Sequence, residues 1–214
     1  VLRKDKELIS VFNKVKQFMD SLPKKQQSGN VLKTYSDITC NYVHYLLSSL
    51  NIMEALKLSE EFQTSIKKYY NPEFFLVFHF NLFLIHFYRD DHHMALRQIN
   101  HILNVEKSGI RPDIIRSAKI LNLIVHYELG NEEILPALCK STAHYFEKTK
   151  QLEQAEKTVI NFFGKTLLKA NTRQKKISAI KELKKESGSE ITQQTLKDFD
   201  FIAWLDSKIQ DRPY

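Results

Sequence analysis

The sequence predicts an all-α protein of about ten helices, on three observations. Glycine and proline are scarce, with five of each in 214 residues, so few points force a helix to stop. Apolar residues recur three and four positions apart along most of the chain, which is the spacing of one helix face. No stretch alternates apolar and polar residues with the period of two that a half-buried strand needs.

Each element follows from its own stripe and its own punctuation. Residues 2–22 carry Leu8, Val11, Phe12, Val15, Phe18, Met19 and Leu22 at helical spacing, and Pro23 with Ser28-Gly29-Asn30 ends the run. A second helix presents Val31, Tyr35, Ile38, Tyr42 and Leu46. Asn51 starts a third, with Ile52, Ala55, Leu56, Phe62, Ile66 and Tyr69 as its buried series. The fourth spans 72–88 and is the most apolar segment of the chain. Asn71 supplies a capping amide, Pro72 fits the first helical position, and Glu73 sits near the positive end of the dipole.

After Asp90-Asp91, a fifth helix uses Ala95, Ile99, Ile102 and Leu103 and stops at Ser108-Gly109. Pro112 and Asp113 open a sixth, with Ile120, Leu123, Ile124 and Tyr127 inside, and Gly130-Asn131 makes the next turn. A seventh helix contributes Ile134, Leu138, Cys139, Thr142 and Tyr145. An eighth contributes Leu152, Ala155, Val159, Phe162, Phe163 and Leu167. A thinner, charged helix covers 172–186, and Ser187-Gly188-Ser189 separates it from a closing helix at 190–211. No long linker divides the chain, which is read as one domain over 1–214.

Helix 72–88 invites a membrane reading, but about seventeen residues fall short of the ~20 a bilayer needs. His79, Asn81 and His86 also interrupt it, so it is expected to be buried between neighbours on several sides. Cys40 and Cys139 lie far apart inside helical patterns and read as small core residues in a reducing compartment. With no signal peptide visible, the expected location is cytoplasmic. The chain opens on Val1 rather than methionine and is read as a fragment of a longer one.

Helices of similar length joined by short turns call for a test of periodicity. Val15, Ala55, Ala95 and Leu135 stand forty residues apart, as do Met19, Ser59, Ile99 and Cys139. Val43, Phe83 and Leu123 show the same offset in the intervening helices. A helix–turn–helix unit of forty residues explains all three series.

In this respect the chain resembles the tetratricopeptide-like helical repeats. Tyr127-Glu128-Leu129-Gly130-Asn131-Glu132-Glu133 has an aromatic and a glycine-polar turn leading into a second helix, and Lys150-Gln151-Leu152-Glu153-Gln154-Ala155 looks like another such turn. Ala55 and Ala95 stand where that family places a small residue. The chain departs from the family in its longer unit, in Val43, Phe83 and Leu123 where a small residue is usual, and in the missing closing proline. Bulky residues there imply wider helix spacing. The whole chain, including the ending Phe199-Asp200-Phe201-Ile202-Ala203-Trp204-Leu205, also looks like the C-terminal part of larger bacterial helical-repeat proteins. The resemblance implies a right-handed superhelix of antiparallel helix pairs and a non-enzymatic scaffold for a protein or peptide partner.

It also implies where that partner sits, because the first helix of each pair would line a concave groove. Asn41 and His44 are the candidates from one unit, beside Cys40 and Leu47. Val77, Phe80, Asn81, Leu84 and Tyr88 come from the next, and Tyr127 with Ser117 from the third. Asn41 and Asn81 share a repeat position, and a carboxamide can hold an extended backbone through one donor and one acceptor. The competing reading is that they bond within the packed layer. Most wall positions are apolar, so the groove is filled either by the chain's own helices or by an apolar partner helix.

Other chemistry has less support in the sequence. The chain has no GxSxG, phosphate-cradling glycine loop, nucleotide fingerprint or paired-carboxylate motif, so neither a catalytic residue nor a cofactor is expected. His86, Asp90 and His93 have helical spacing but lack a fourth ligand, HExxH or CxxC, so no metal site is expected. The net charge is +7, and Lys165, Lys169, Arg173, Lys175, Lys176, Lys181, Lys184 and Lys185 cluster with Glu182 as the only acid between them. Such a patch fits the alternative function, a nucleic-acid-associated or regulatory protein that binds an acidic partner through residues 165–185, or else a solvated helix face. No aromatic residue interleaves it, which disfavours nucleic acid. The wide apolar face of the last helix either folds back into the groove or meets a second subunit.

Overall fold

In the computed structural model, backbone is described for residues 2–23, 25–27, 29–65, 71–105, 109–150 and 152–214. Side chains are described for the same residues except 2–5, 64, 65, 187–189 and 194. Ile66, Tyr69, Ser28, Ser108 and Gln151, named above in helix faces and turns, lie outside the described residues. The fold is all-α, with no strand among the described residues. The elements are α1 (Leu2–Ser21), α2 (Gly29–Ser48), α3 (Ile52–Ser65), α4 (Pro72–Tyr88), α5 (His92–Leu103), α6 (Pro112–Glu128), α7 (Leu135–Lys148), α8 (Gln154–Asn161), α9 (Leu167–Lys169), α10 (Arg173–Gln194) and α11 (Phe201–Gln210). A 3₁₀ turn, Glu132–Ile134, precedes α7, and a π turn, Phe162–Thr166, joins α8 to α9. No helix among the described residues is long and apolar enough to cross a membrane.

Chain contacts divide the molecule into two compact units, Val1–Ile85 and His86–Tyr214. In the first, α1 packs on α2, where Phe12 stacks on Tyr42 at 4.1 Å between ring centroids. Tyr35 of α2 meets Phe62 of α3 edge-on at 5.4 Å, and Phe62 reaches Phe74 and Phe78 of α4 at 5.6 and 5.9 Å. Asn71 caps α4 as its sequence position predicts, accepting from the Phe74 amide at 3.0 Å. Eleven of the twelve residues from Leu76 to Phe87 are buried, His79 and His86 among them, and Val77 is half-buried, so this stretch has no solvent face to make polar.

In the second unit α6 packs against α5 and α7, and α10 against α8 and α11. The buried carboxylate Glu156 of α8 ties three elements together. It accepts from the Arg116 guanidinium of α6 and from the Thr195 hydroxyl just past α10, while Ser117 Oγ donates to the Thr195 carbonyl. The Arg116 guanidinium also lies 5.7 Å from the Phe146 ring centroid of α7.

Local geometry recurs at the forty-residue offset. Leu50, Asp90 and Gly130 all have left-handed backbone, with φ of 59°, 55° and 72°. The next residue's amide bonds back to Leu46 at 2.8 Å, to His86 at 2.9 Å and to His126 at 2.9 Å, respectively. This is the six-to-one closure of a helix end, which directs the chain into the second helix of a pair. Met19, Ser59, Ile99 and Cys139 are all buried, as are Val43, Phe83 and Leu123.

Two expected boundaries are corrected. The eighth helix is not regular, because the π turn inserts into it and lets Phe162, Phe163 and Leu167 all reach the interior. The turn also brings Gly164 against α7, where a Cβ would stand 3.1 Å from Cys139 Cβ. The chain does not break at Ser187-Gly188-Ser189, and 190–211 is not one helix: α10 runs on to Gln194 and α11 begins at Phe201. A single glycine costs a helix only about 1 kcal/mol, and burial of Ile191 beyond it outweighs that. The break comes instead where the Leu196 amide bonds back to Ile191 at 2.8 Å and Asp200 caps α11 through the Ala203 amide at 2.8 Å.

Candidate functional site

The residues expected to line a groove divide into three groups. Asn41 is exposed on α2, and His44 one turn later is half-buried. Phe80, Asn81 and Leu84 of α4 are buried by the protein itself, while Val77 is half-buried. Asn81 Nδ2 donates to the Cys40 carbonyl at 3.1 Å. Its carboxamide is therefore used inside the packed layer, next to its repeat equivalent Asn41, and not offered to a peptide. This corrects the expectation for Phe80, Asn81 and Leu84: the all-round burial of α4 removes them from any open wall.

Tyr88 and Tyr127, both in the second unit, are covered by the chain's own C-terminal segment. Tyr88 lies 5.5 Å from the Tyr214 ring, and Phe87 meets Phe199 and Tyr214 at 5.2 and 5.6 Å. Tyr214 donates its hydroxyl to the Asp200 carbonyl at 3.0 Å, which closes the tail onto the turn before α11. Burial pushes both phenols, Tyr88 and Tyr214, above the ordinary tyrosine range. Tyr127 stands edge-on to Trp204 of α11 at 6.0 Å, and its phenol is pushed up to about 12 by burial, with Glu128 and Glu132 adding to the effect.

Glu128 anchors α11 to α6. It accepts from Trp204 Nε1 and from Lys208 Nζ, the latter at 2.7 Å, and His92 Nε2 lies 3.9 Å away. Phe201, Trp204 and Leu205 form the buried face of α11, whereas Ile202 and Ile209, expected in its central stripe, are half-buried. The apolar face of this helix is thus used within the chain. This is the folding-back arrangement, one of the two expected for the wide apolar face.

No family model, curated protein or solved structure matches the chain.

The basic cluster is less bare than its sequence window. Lys165, Lys169, Arg173 and Lys175 are exposed and Lys176 is half-buried. Arg173 pairs with Asp211, Lys176 with Glu132 at 2.6 Å, and Lys184 with Asp206 at 2.7 Å. Lys175 Nζ donates to Asn171 Oδ1 at 3.2 Å. The acids missing from the local sequence arrive from other elements. Arg173 and Lys176, with Tyr127, Lys208 and Arg212, line a recess of about 290 Å³. A second recess of about 370 Å³ lies between α8 and α10, beside the π turn.

Among the described residues no group of three His, Cys, Asp or Glu side chains could hold a metal ion. His86 Nδ1 lies 3.6 Å from Asp91 instead. Cys40 and Cys139 are free and buried, and burial pushes both thiols up to about 12, with Asp37 adding at Cys40. Neither is a reactive thiolate at neutral pH.

Two structural anchors, Glu156 and Glu128, are not among the candidate residues the sequence singles out. Glu156 falls on the apolar stripe Leu152, Val159, Phe163 at helical spacing, and a carboxylate on such a stripe is a signal for a buried ion pair. Glu128 has no comparable signal, since its partners Trp204 and Lys208 lie 76 and 80 residues away.

Proposed function

We propose that the chain is a tetratricopeptide-like, non-enzymatic interaction scaffold whose first helices receive a helical or extended segment of a protein partner. The forty-residue recurrence of left-handed turns and buried positions supports the repeat reading, and superhelical stacking of the pairs belongs to the same proposal. One observation carries the function. Tyr127, an expected inward position of α6, already meets a helix, α11, through an aromatic contact, and the adjacent Glu128 adds a two-donor polar anchor. A face built this way has the chemistry that helix-in-groove recognition uses.

Because α11 is the occupant there, a protein partner is directed to α2 in the first unit, where Asn41 is exposed and His44 half-buried. The test is affinity capture with the full chain, identification of the partner, and titration of that partner against Asn41→Ala with His44→Ala. The expected result is at least about tenfold weaker binding, or 1.4 kcal/mol. Equal affinity of the double variant and the unaltered chain would remove α2 from the reading.

A further inference from the structure

The recess beside Tyr127, between α10 and the end of α11, has a one-sided charge. Its lining includes four cations, Arg173, Lys176, Lys208 and Arg212, and one carboxylate, Asp211. Lys176 and Lys208 are half-buried, and Arg173 and Arg212 are exposed. At about 290 Å³ the recess is at the small end of ligand pockets.

The cations are placed without being used up. Lys176 pairs with Glu132 at 2.6 Å and Lys208 with Glu128 at 2.7 Å, and neither acid lines the recess. An ammonium group has three donors, so each pair fixes its lysine and leaves N–H groups for a second acceptor. Arg173 pairs with Asp211 at the surface, where the two side chains are 69% and 73% exposed. Solvent screens such a pair, and an incoming anion replaces it at little cost. Arg212 makes no ion pair among the described residues. The Tyr127 hydroxyl likewise has no hydrogen-bond partner among them. Burial, with Glu128 and Glu132 adding, pushes this phenol up to about 12, so it remains a donor at neutral pH.

The donor set selects the ligand. Two guanidinium forks, two ammonium groups and a phenol offer more than the two oxygens of a carboxylate can accept, whereas a phosphate monoester presents three strong acceptors. Ile177 and Pro213 also line the recess and offer an apolar contact beside the charge. A nucleic-acid backbone needs cations spread along a track. Here they converge, and the exposed Lys165, Lys169 and Lys175 do not line the recess.

We infer that this recess binds a small phosphate monoester, its phosphate held by Arg173, Lys176, Lys208 and Arg212 with the Tyr127 hydroxyl, and its apolar body against Ile177 and Pro213. This goes beyond the partner reading and does not depend on it. The full chain is titrated by calorimetry at constant ionic strength with phenyl phosphate, inorganic phosphate, benzoate and a short oligothymidylate without terminal phosphates. The expected result is saturable one-to-one binding of phenyl phosphate, with the other three probes weaker. Arg212→Gln, at an exposed and unpaired residue, is expected to weaken phenyl phosphate at least about tenfold with unchanged circular dichroism. Lys169→Gln, exposed outside the recess, is expected to leave it unchanged. The inference is overturned by absent saturable binding of phenyl phosphate, or by equal affinities of the unaltered chain and the Arg212→Gln variant. Equal weakening by Lys169→Gln also overturns it, as does benzoate, inorganic phosphate or oligothymidylate binding as tightly as phenyl phosphate.

Discussion

At the scale of single residues, Glu156 is the most exacting position. Its carboxylate is fully buried and compensated by Arg116, whose side chain is 15% exposed, and the Thr195 hydroxyl donates to the same oxygen, Oε1. Removing one partner of a buried pair leaves an uncompensated charge, which costs about 3–5 kcal/mol, whereas replacing both with apolar groups is often neutral. Glu156→Gln is therefore expected to lower unfolding free energy by about 3 kcal/mol, read by urea denaturation. Arg116→Met with Glu156→Leu is expected to recover most of that loss. If the single variant is as stable as the parent, the network is not an anchor. Asn81 makes the same point with a neutral group: its position on the repeat suggested a ligand contact, yet its partner is a main-chain carbonyl 41 residues earlier.

At the scale of elements, the two corrected helices share a cause. Local sequence weighs a Ser-Gly-Ser triplet as a break and a continuous stripe as a regular helix, but burial of neighbouring residues decides both. Ile191 keeps α10 helical past Gly188, and the paired Phe162 and Phe163 draw the chain into a π turn. Gly188→Ala separates the readings. In a continuous helix the substitution raises stability by about 0.5–1 kcal/mol through backbone entropy and propensity. A loss of stability would mean that the glycine is needed for a turn.

At the scale of the whole molecule, the forty-residue register permits residues to be exchanged between repeats. Leu50 and Asp90 adopt the left-handed turn that Gly130 adopts in the third repeat, and an L-residue other than glycine pays roughly 1–2 kcal/mol there. Leu50 is also 78% exposed, so little packing is lost on its removal. Leu50→Gly is thus expected to stabilise the chain by about 1 kcal/mol, measured as a raised denaturant midpoint. A drop would show that Leu50 has a role that the turn geometry does not explain. Charge also has to be judged at this scale. The cluster from Lys165 to Lys185 looks almost free of acids along the chain, and Glu132, Asp206 and Asp211 reach it only through the fold.

What the sequence determines by itself is what depends on neighbours within one or two helical turns. That includes the all-α class, the Asn71-Pro72 start of α4, the turns at Asp90 and Gly130, and the forty-residue spacing of buried positions. Hydrophobic period and capping chemistry are local quantities and can be read without coordinates. The tertiary structure alone decides which expected wall residues are covered. Tyr88 and Tyr127 meet Tyr214 and Trp204, Asn81 turns to Cys40, and Glu128 anchors a helix some eighty residues further on. Periodicity assigns a residue to a helix face, but the cover over that face comes from a distant segment whose approach costs chain entropy and is repaid only by the assembled core.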